Sequence, residues 1–247
     1  AKKKVEQSLT SNPEQSVVGI MVVHYGGSMV DMDAVARFAE EYSLWVVEDA
    51  AHAFPASYKS KDQDKVLQCG EGTSDVTCFS FYANKTITTG EGGMAVTSSA
   101  DLYERMKVMS LHGLSRDAWN RYSGGSWDYQ ITAPGFKYNL TDIAAAIGIE
   151  QLRKADQFQH KRQKIAELYI QGLQETCLEL PRHPQSGMHS WHLFPIRIPK
   201  EMVSKRNECI TKLTELGIGT SVHWRPLHEH IFYKESNAAE FANCPIA

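Results

Sequence analysis

Residues 78–85 read Cys-Phe-Ser-Phe-Tyr-Ala-Asn-Lys, and Thr88-Thr89-Gly90-Glu91-Gly92-Gly93 follows shortly after. The stretch sets Lys85 just past an apolar strand, among small hydroxyl residues and before a glycine turn. Upstream, Leu44-Trp45-Val46-Val47-Glu48 forms a second short apolar run that ends on Asp49. Short apolar runs bounded by turn-formers predict strands buried inside a sheet. Residues 17–24, Val-Val-Gly-Ile-Met-Val-Val-His, predict a third such strand. Between this strand and the one at 44–48 lies 31–42, an amphipathic helix with Val30, Met32, Val35, Phe38 and Ala39 on its apolar side. The pattern adds strands over 76–81 and 94–97, a helix over 101–110, and a loop between residue 49 and Asp75. Strand, helix and strand in this order predict an α/β fold with a mostly parallel sheet flanked by helices.

Farther along, residues 111–136 carry Gly113, Gly124, Gly125, Pro134 and Gly135 together with several aromatics. A connection this long inside a domain is commonly functional. Trp119, Tyr122 and Trp127 are expected to pin that loop or to stack on a ligand, and Asp117 and Arg121 have the spacing of an exposed salt bridge. Residues 141–173 predict one or two long helices opened by Thr141-Asp142. Residues 192–198 alternate like a strand, 203–216 read as a helix and 218–224 as another strand. The expected organisation is a large α/β domain over 1–140, linking helices over 141–176, and a smaller α+β lobe over 177–247.

Composition narrows the class. The 247 residues are 42% hydrophobic and 22% charged with a formal net charge of -3. That balance offers no electrostatic footprint for nucleic acid, and Lys2-Lys3-Lys4 reads as a solvated end. The five cysteines (Cys69, Cys78, Cys177, Cys209 and Cys244) include no CxxC pair, so reduced thiols, a cytoplasmic setting and no metal site are expected. No apolar run approaches the ~18 residues that span a bilayer, and no secretory signal opens the chain.

In open α/β sheets ligands gather at the carboxyl ends of the strands. Asp49 and Lys85 both belong there. A carboxylate to pair with a pyridinium nitrogen and an amine to form a Schiff base are what pyridoxal 5′-phosphate requires. Either residue alone reads more simply as a loop cap or a surface charge. Their order and wording carry the reading.

Glu48-Asp-Ala-Ala-His-Ala53, Cys78 to Lys85 with Gly90-Glu-Gly-Gly93, Pro134-Gly-Phe-Lys-Tyr-Asn-Leu140, His189-Ser-Trp-His-Leu193 and Gly217-Ile-Gly-Thr-Ser-Val-His223 together resemble the DegT/DnrJ/EryC1/StrS family. Its members are pyridoxal-phosphate-dependent aminotransferases of nucleotide-linked keto sugars, with fold type I of the cofactor's transferases. The resemblance implies that Lys85 holds the cofactor, Asp49 pairs with its ring nitrogen and Ser80 binds its phosphate. His52 stands where many members have a glutamine near the 3′-oxygen. Lys137 takes the place of an asparagine that reaches the neighbouring subunit's phosphate, and Asn139 that of an arginine. His192 and His223 fall in matching segments and are expected to line the sugar pocket, or to be core histidines satisfied by backbone. Glutamate as amino donor, a homodimer with shared sites, and residues 111–139 as interface and sugar contact are implied as well. Trp119-Asn120-Arg121 and Lys137-Tyr138-Asn139 are nearest the branch acting at the sugar's C4 carbon. The family's phosphate-cradling helix start has no counterpart in residues 1–24, and relatives run on past Ala247, so the chain is expected to lack a portion at each end. Members that dehydrate the sugar lack the lysine. The alternative reading is a non-catalytic homologue that keeps the fold.

Overall fold

The computed structural model describes residue 6 and residues 17–114, 130–184 and 186–235. The chain forms two units. The first comprises Ala1–Thr176 with Leu180–Ile196, and the second Cys177–Glu179 with Arg197–Ala247. Trp119, Tyr122, Trp127, Asp117, Arg121, the three N-terminal lysines and Cys244 lie outside the described residues.

The first unit is built on a four-stranded sheet of order β1-β2-β5-β6. Strand β1 (Gly19–Val23) pairs in parallel with β2 (Trp45–Asp49), and β2 with β5 (Val76–Ser80). Strand β6 (Gly93–Val96) runs antiparallel to β5. The sheet is therefore mixed, because the chain from β5 to β6 turns back directly and makes no crossover. Helix α1 (Met32–Tyr42) is the crossover between β1 and β2. Asp31 caps its start, Oδ1 accepting from the Ala34 N–H at 3.0 Å, and Ser43 ends it in the left-handed conformation. Its buried Met32, Val35 and Ala39 meet Val22, Leu44 and Val46, the main apolar cluster. Met21, Val23 and Trp45 alternate to the other face of the sheet, where they are exposed.

The segment expected as a loop between β2 and β5 contains a hairpin, β3 (Ser57–Ser60) and β4 (Lys65–Gln68), to which β7 (Gly187–Met188) adds. Its polar wording hid the strands, and the buried Asp33 anchors the turn: its carboxylate accepts from Ser60 Oγ at 2.8 Å and the Lys61 N–H at 2.7 Å. Burial opposes ionisation of Asp33, but these bonds outweigh it and hold the carboxyl below its usual range. Helix α2 (Ala100–Ser110) follows β6. The expected helical stretch breaks at Lys154 into α3 (Asp142–Arg153) and α4 (Ala155–Leu173), with Thr141 capping the former.

Residues 192–198 do not form the expected strand. The Ser190 and Leu193 N–H groups donate instead to the carbonyls of Gly27 and Gly26, both at 3.1 Å. Trp191 takes a positive φ of 50°, and Pro195 has no N–H to give a ladder. Within the segment only Arg197 meets another edge among the described residues, and a single bridge makes no strand.

In the second unit, Glu179 and Arg197 form a two-way antiparallel bridge at 2.9 Å, reinforced by an ion pair between their side chains. Helix α5 (Arg206–Glu215) follows a 3-10 segment, Lys200–Lys205. Residues 218–224, also expected as a strand, belong to no strand or bridge among the described residues.

Candidate active site

Asp49 is the last residue of β2, and β2 lies between β1 and β5. Its main chain is clamped from both sides: the His24 N–H donates to its carbonyl at 3.1 Å, and the next N–H, of Ala50, donates to Cys78 O at 2.9 Å. The carboxylate Oδ1 accepts from the Ala51 N–H at 3.0 Å. Asp49 pairs in register with Cys78, and Ser80 follows two residues on, so the three project from one face of the sheet.

From Ser80 the chain enters the loop over 81–92. Phe81 closes it, its N–H donating to Gly92 O at 2.8 Å and its carbonyl accepting from the Thr89 N–H at 2.9 Å. Thr86, Ile87 and Thr89 are buried and peg the loop from within. Gly92 has φ +154°, and a β-carbon there would collide with Thr89 Oγ1, so this turn requires glycine. Lys85 is held by its own N–H, which donates to Tyr82 O at 3.0 Å. Partial burial lowers the pKa of its amine, and the negative charge of Asp49 opposes that fall. The two groups therefore act on one another electrostatically. Ser80 Oγ accepts from the Tyr82 N–H at 3.3 Å and stands at the mouth of the same loop.

His52 lies past the end of β2, its Nδ1 accepting from the Gly26 N–H at 3.2 Å. Its carbonyl accepts from Ser190 Oγ at 2.5 Å, and a β-carbon at Gly27 would occupy the space that this hydroxyl fills. The His192 ring stacks obliquely on His52, centroids 4.4 Å apart. Helix α4 backs this segment: Gln159 Nε2 donates to His189 O at 2.6 Å and Arg162 Nη1 to Trp191 O at 3.1 Å. Burial first, and His183 second, push the buried His189 ring down to about 4.

The structure brings together Asp49 and Lys85, with Ser80 at the head of the lysine's loop, and separately His52 and His192. Lys137 and Asn139 are exposed on a segment running along the end of α2, where the Tyr138 N–H donates to Ser110 O at 2.8 Å. No hydrogen bond joins either to Asp49, Ser80 or Lys85 among the described residues. His223 belongs to the second unit, its ring edge-on to Trp224. What sequence reasoning missed is the buried set behind Asp49: His24, Glu48 and Thr77 are all at most 1% exposed. The signal was there, since Glu48 occupies the same alternating register as the core residue Val46.

Comparison with known proteins agrees with this architecture. The whole chain, residues 1–247, matches the DegT/DnrJ/EryC1/StrS aminotransferase family. It is 39% identical to the spore coat polysaccharide biosynthesis protein SpsC of Bacillus subtilis over 99% of this chain and 61% of that protein. Among solved structures it superposes on PseC of Helicobacter pylori, an aminotransferase involved in the biosynthesis of pseudaminic acid, with a TM-score of 0.79 at 28% identity. That match covers 90% of this chain and 56% of PseC. The PLP form of the putative sugar aminotransferase Spr1654 from Streptococcus pneumoniae gives a TM-score of 0.73 at 27% identity, over 88% of this chain and 57% of that one. The chain thus spans about three fifths of the length of the curated relatives it matches.

Proposed function

Because the chain belongs to the DegT/DnrJ/EryC1/StrS aminotransferase family, we propose that it carries the cofactor site of an enzyme that converts a keto carbon on a nucleotide-linked sugar into an amine. Glutamate is the donor in this reading, and the product feeds a surface polysaccharide or glycan. What supports it is a strand-end carboxylate, Asp49, whose charge reaches the amine of Lys85 on the neighbouring loop.

The donor set fits pyridoxal 5′-phosphate. Asp49 would hold the proton of the ring nitrogen, Ser80 would donate to the phosphate, His52 would flank the ring, and Lys85 would bind the aldehyde carbon. When bound, the cofactor supplies an electron-withdrawing ring that stabilises negative charge at the amine-bearing carbon. Lys85 contributes a partly desolvated amine with a lowered pKa, so more of it is neutral near pH 7 than of an ordinary lysine. Neutral, it would hold the aldehyde carbon as a nucleophile; as a free amine it would take the proton from the donor's α-carbon onto Nζ and hand it on to the carbon that had carried the aldehyde. The Asp49 carboxylate would favour a cationic ring nitrogen. Lys137 and Asn139 would serve a partner subunit's cofactor phosphate, and His192, beside His52, the sugar. A homodimer is consistent with the exposed Ile143, Ile147 and Leu152 along α3.

The test begins with pyridoxal 5′-phosphate added to the chain, followed by borohydride and peptide mass spectrometry. Covalent cofactor on Lys85, absent in Lys85→Ala, is the expected result. Attachment spread over surface lysines, or unchanged in the variant, would sink the assignment and leave a non-catalytic homologue as the better reading. Incubation with glutamate and a panel of nucleotide-linked keto sugars then tests the reaction itself.

A further inference from the structure

Glu48 stands one residue before Asp49 and on the opposite face of β2, in line with the core residue Val46. It is 1% exposed. A carboxylate at such a place costs several kcal/mol unless its oxygens are fully hydrogen-bonded. Here they are. The Val30 N–H donates to His24 Nδ1 at 3.2 Å, which assigns the ring proton to Nε2. That proton is donated to Glu48 Oε2 at 2.7 Å. Thr77 Oγ1 donates to Oε1 at 2.9 Å, and the Ser74 hydroxyl donates to the same oxygen. Burial favours the neutral acid, but these bonds outweigh it and keep Glu48 below the usual carboxylate range.

The ligand atoms of His24, Glu48 and Cys69 lie within 4.8 Å of one another, a composition that suits a metal. His24 Nε2 and the Cys69 thiol both direct a donor at Glu48 Oε2. Burial above all, and then the charge of Glu48, push the Cys69 thiol far above its ordinary pKa, its sulfur 4.0 Å from Oε2.

The network has a second end. The residue whose ring holds Glu48 also holds Asp49, because the His24 N–H donates to the Asp49 carbonyl at 3.1 Å. His24 also opens the Tyr25–Gly27 turn, whose Gly26 N–H donates to His52 Nδ1 at 3.2 Å. Thr77 sits opposite Glu48 in the β2–β5 register, one residue before Cys78, which sits opposite Asp49. Three neighbouring strands, β1 at its end, β2 at its end and β5 at Thr77, are thus tied together at the level of Asp49 by one buried carboxylate.

We propose that Glu48, through His24 and Thr77, is a positioning residue that fixes where the Asp49 carboxylate and the His52 ring stand relative to Lys85. This rests on the cofactor reading given above, and the test separates the two. The titration of the Lys85 amine is followed in the chain without cofactor, by competitive acetylation across pH with mass spectrometry. The variants are Glu48→Gln, Asp49→Asn and the double variant, all near-isosteric. The expected result is that Glu48→Gln lowers the pKa of the amine while Asp49 is intact, and leaves it unchanged once Asp49 is asparagine. An equal shift in both backgrounds would mean that Glu48 acts only by its own charge, and no shift in either that it only supports folding; both overturn the proposal. Thr77→Val, which keeps the charge of Glu48, enters the same cycle should Glu48→Gln not fold. In parallel, pyridoxal 5′-phosphate affinity by equilibrium dialysis is expected to weaken roughly tenfold in Glu48→Gln, and no further on top of Asp49→Asn. If the acetylation cycle shows coupling while no variant nor the parent chain binds cofactor, positioning stands and the cofactor reading falls.

Discussion

Thr77 donates at 2.9 Å to a carboxylate oxygen that is closed off from water. Replacing it with valine preserves shape and removes one donor from a buried anion. Such a loss costs roughly 1–3 kcal/mol, toward the upper end because the acceptor is charged. Urea unfolding of Thr77→Val is expected to show a lowered midpoint with an unchanged slope. A midpoint equal to that of the parent chain would mean that Ser74 and His24 satisfy Glu48 unaided. Asp49 and Lys85 announced themselves through their wording. Glu48 did not, because a charged residue in a strand is usually solvated, and only the register places it beside Val46 in the core.

At the scale of elements, α1 decides whether β1 and β2 come together in parallel, since it is the crossover between them. Its start depends on Asp31, whose Oδ1 satisfies the Ala34 N–H. Asp31→Ala is expected to cost about 1 kcal/mol of stability. Asp31→Asn or Asp31→Ser should restore most of it, as read by thermal or chemical unfolding. An alanine variant as stable as the parent would show that the cap is replaced by solvent. The strands and helices of the first unit were legible because each pairs an apolar period with a clear stop. The hairpin of β3 and β4 was not, because three lysines, two aspartates and a glutamine dominate residues 59–65 and the anchoring carboxylate, Asp33, comes from α1. The two strands expected in residues 192–198 and 218–224 failed for the converse reason. Their alternation is real, but a strand exists only where another edge receives its hydrogen bonds. In the first, the Leu193 N–H goes to the glycine turn over 25–27 and Arg197 bridges to Glu179 alone, choices no local pattern reveals.

For the molecule as a whole, the ionisable groups behind the site make folding sensitive to acid. His189 titrates at about 4 in the folded chain, whereas an exposed histidine titrates near 6.5. Between those values the unfolded chain binds the extra proton, so stability falls as pH drops through that window, by on the order of 3 kcal/mol if fully expressed. Glu48 has its folded pKa lowered, so its contribution is intact above the unfolded carboxyl value and is lost below it. Urea midpoints measured from pH 7 to pH 4 are expected to decline, and His189→Gln should flatten the slope above pH 5. A slope unaltered by that variant would assign the decline to other groups. No described helix is long and apolar enough to cross a membrane.

Cys78 sits opposite Asp49 in the β2–β5 ladder and is exposed. Partial burial first, and then the neighbouring Asp49 charge, raise the pKa of its thiol. Its reaction with iodoacetamide should therefore run slower than that of a free thiol at the same pH and quicken in Asp49→Asn. The chain thus carries an intrinsic voltmeter for its own strand-end carboxylate, readable by alkylation kinetics before any vitamin-derived ligand is added.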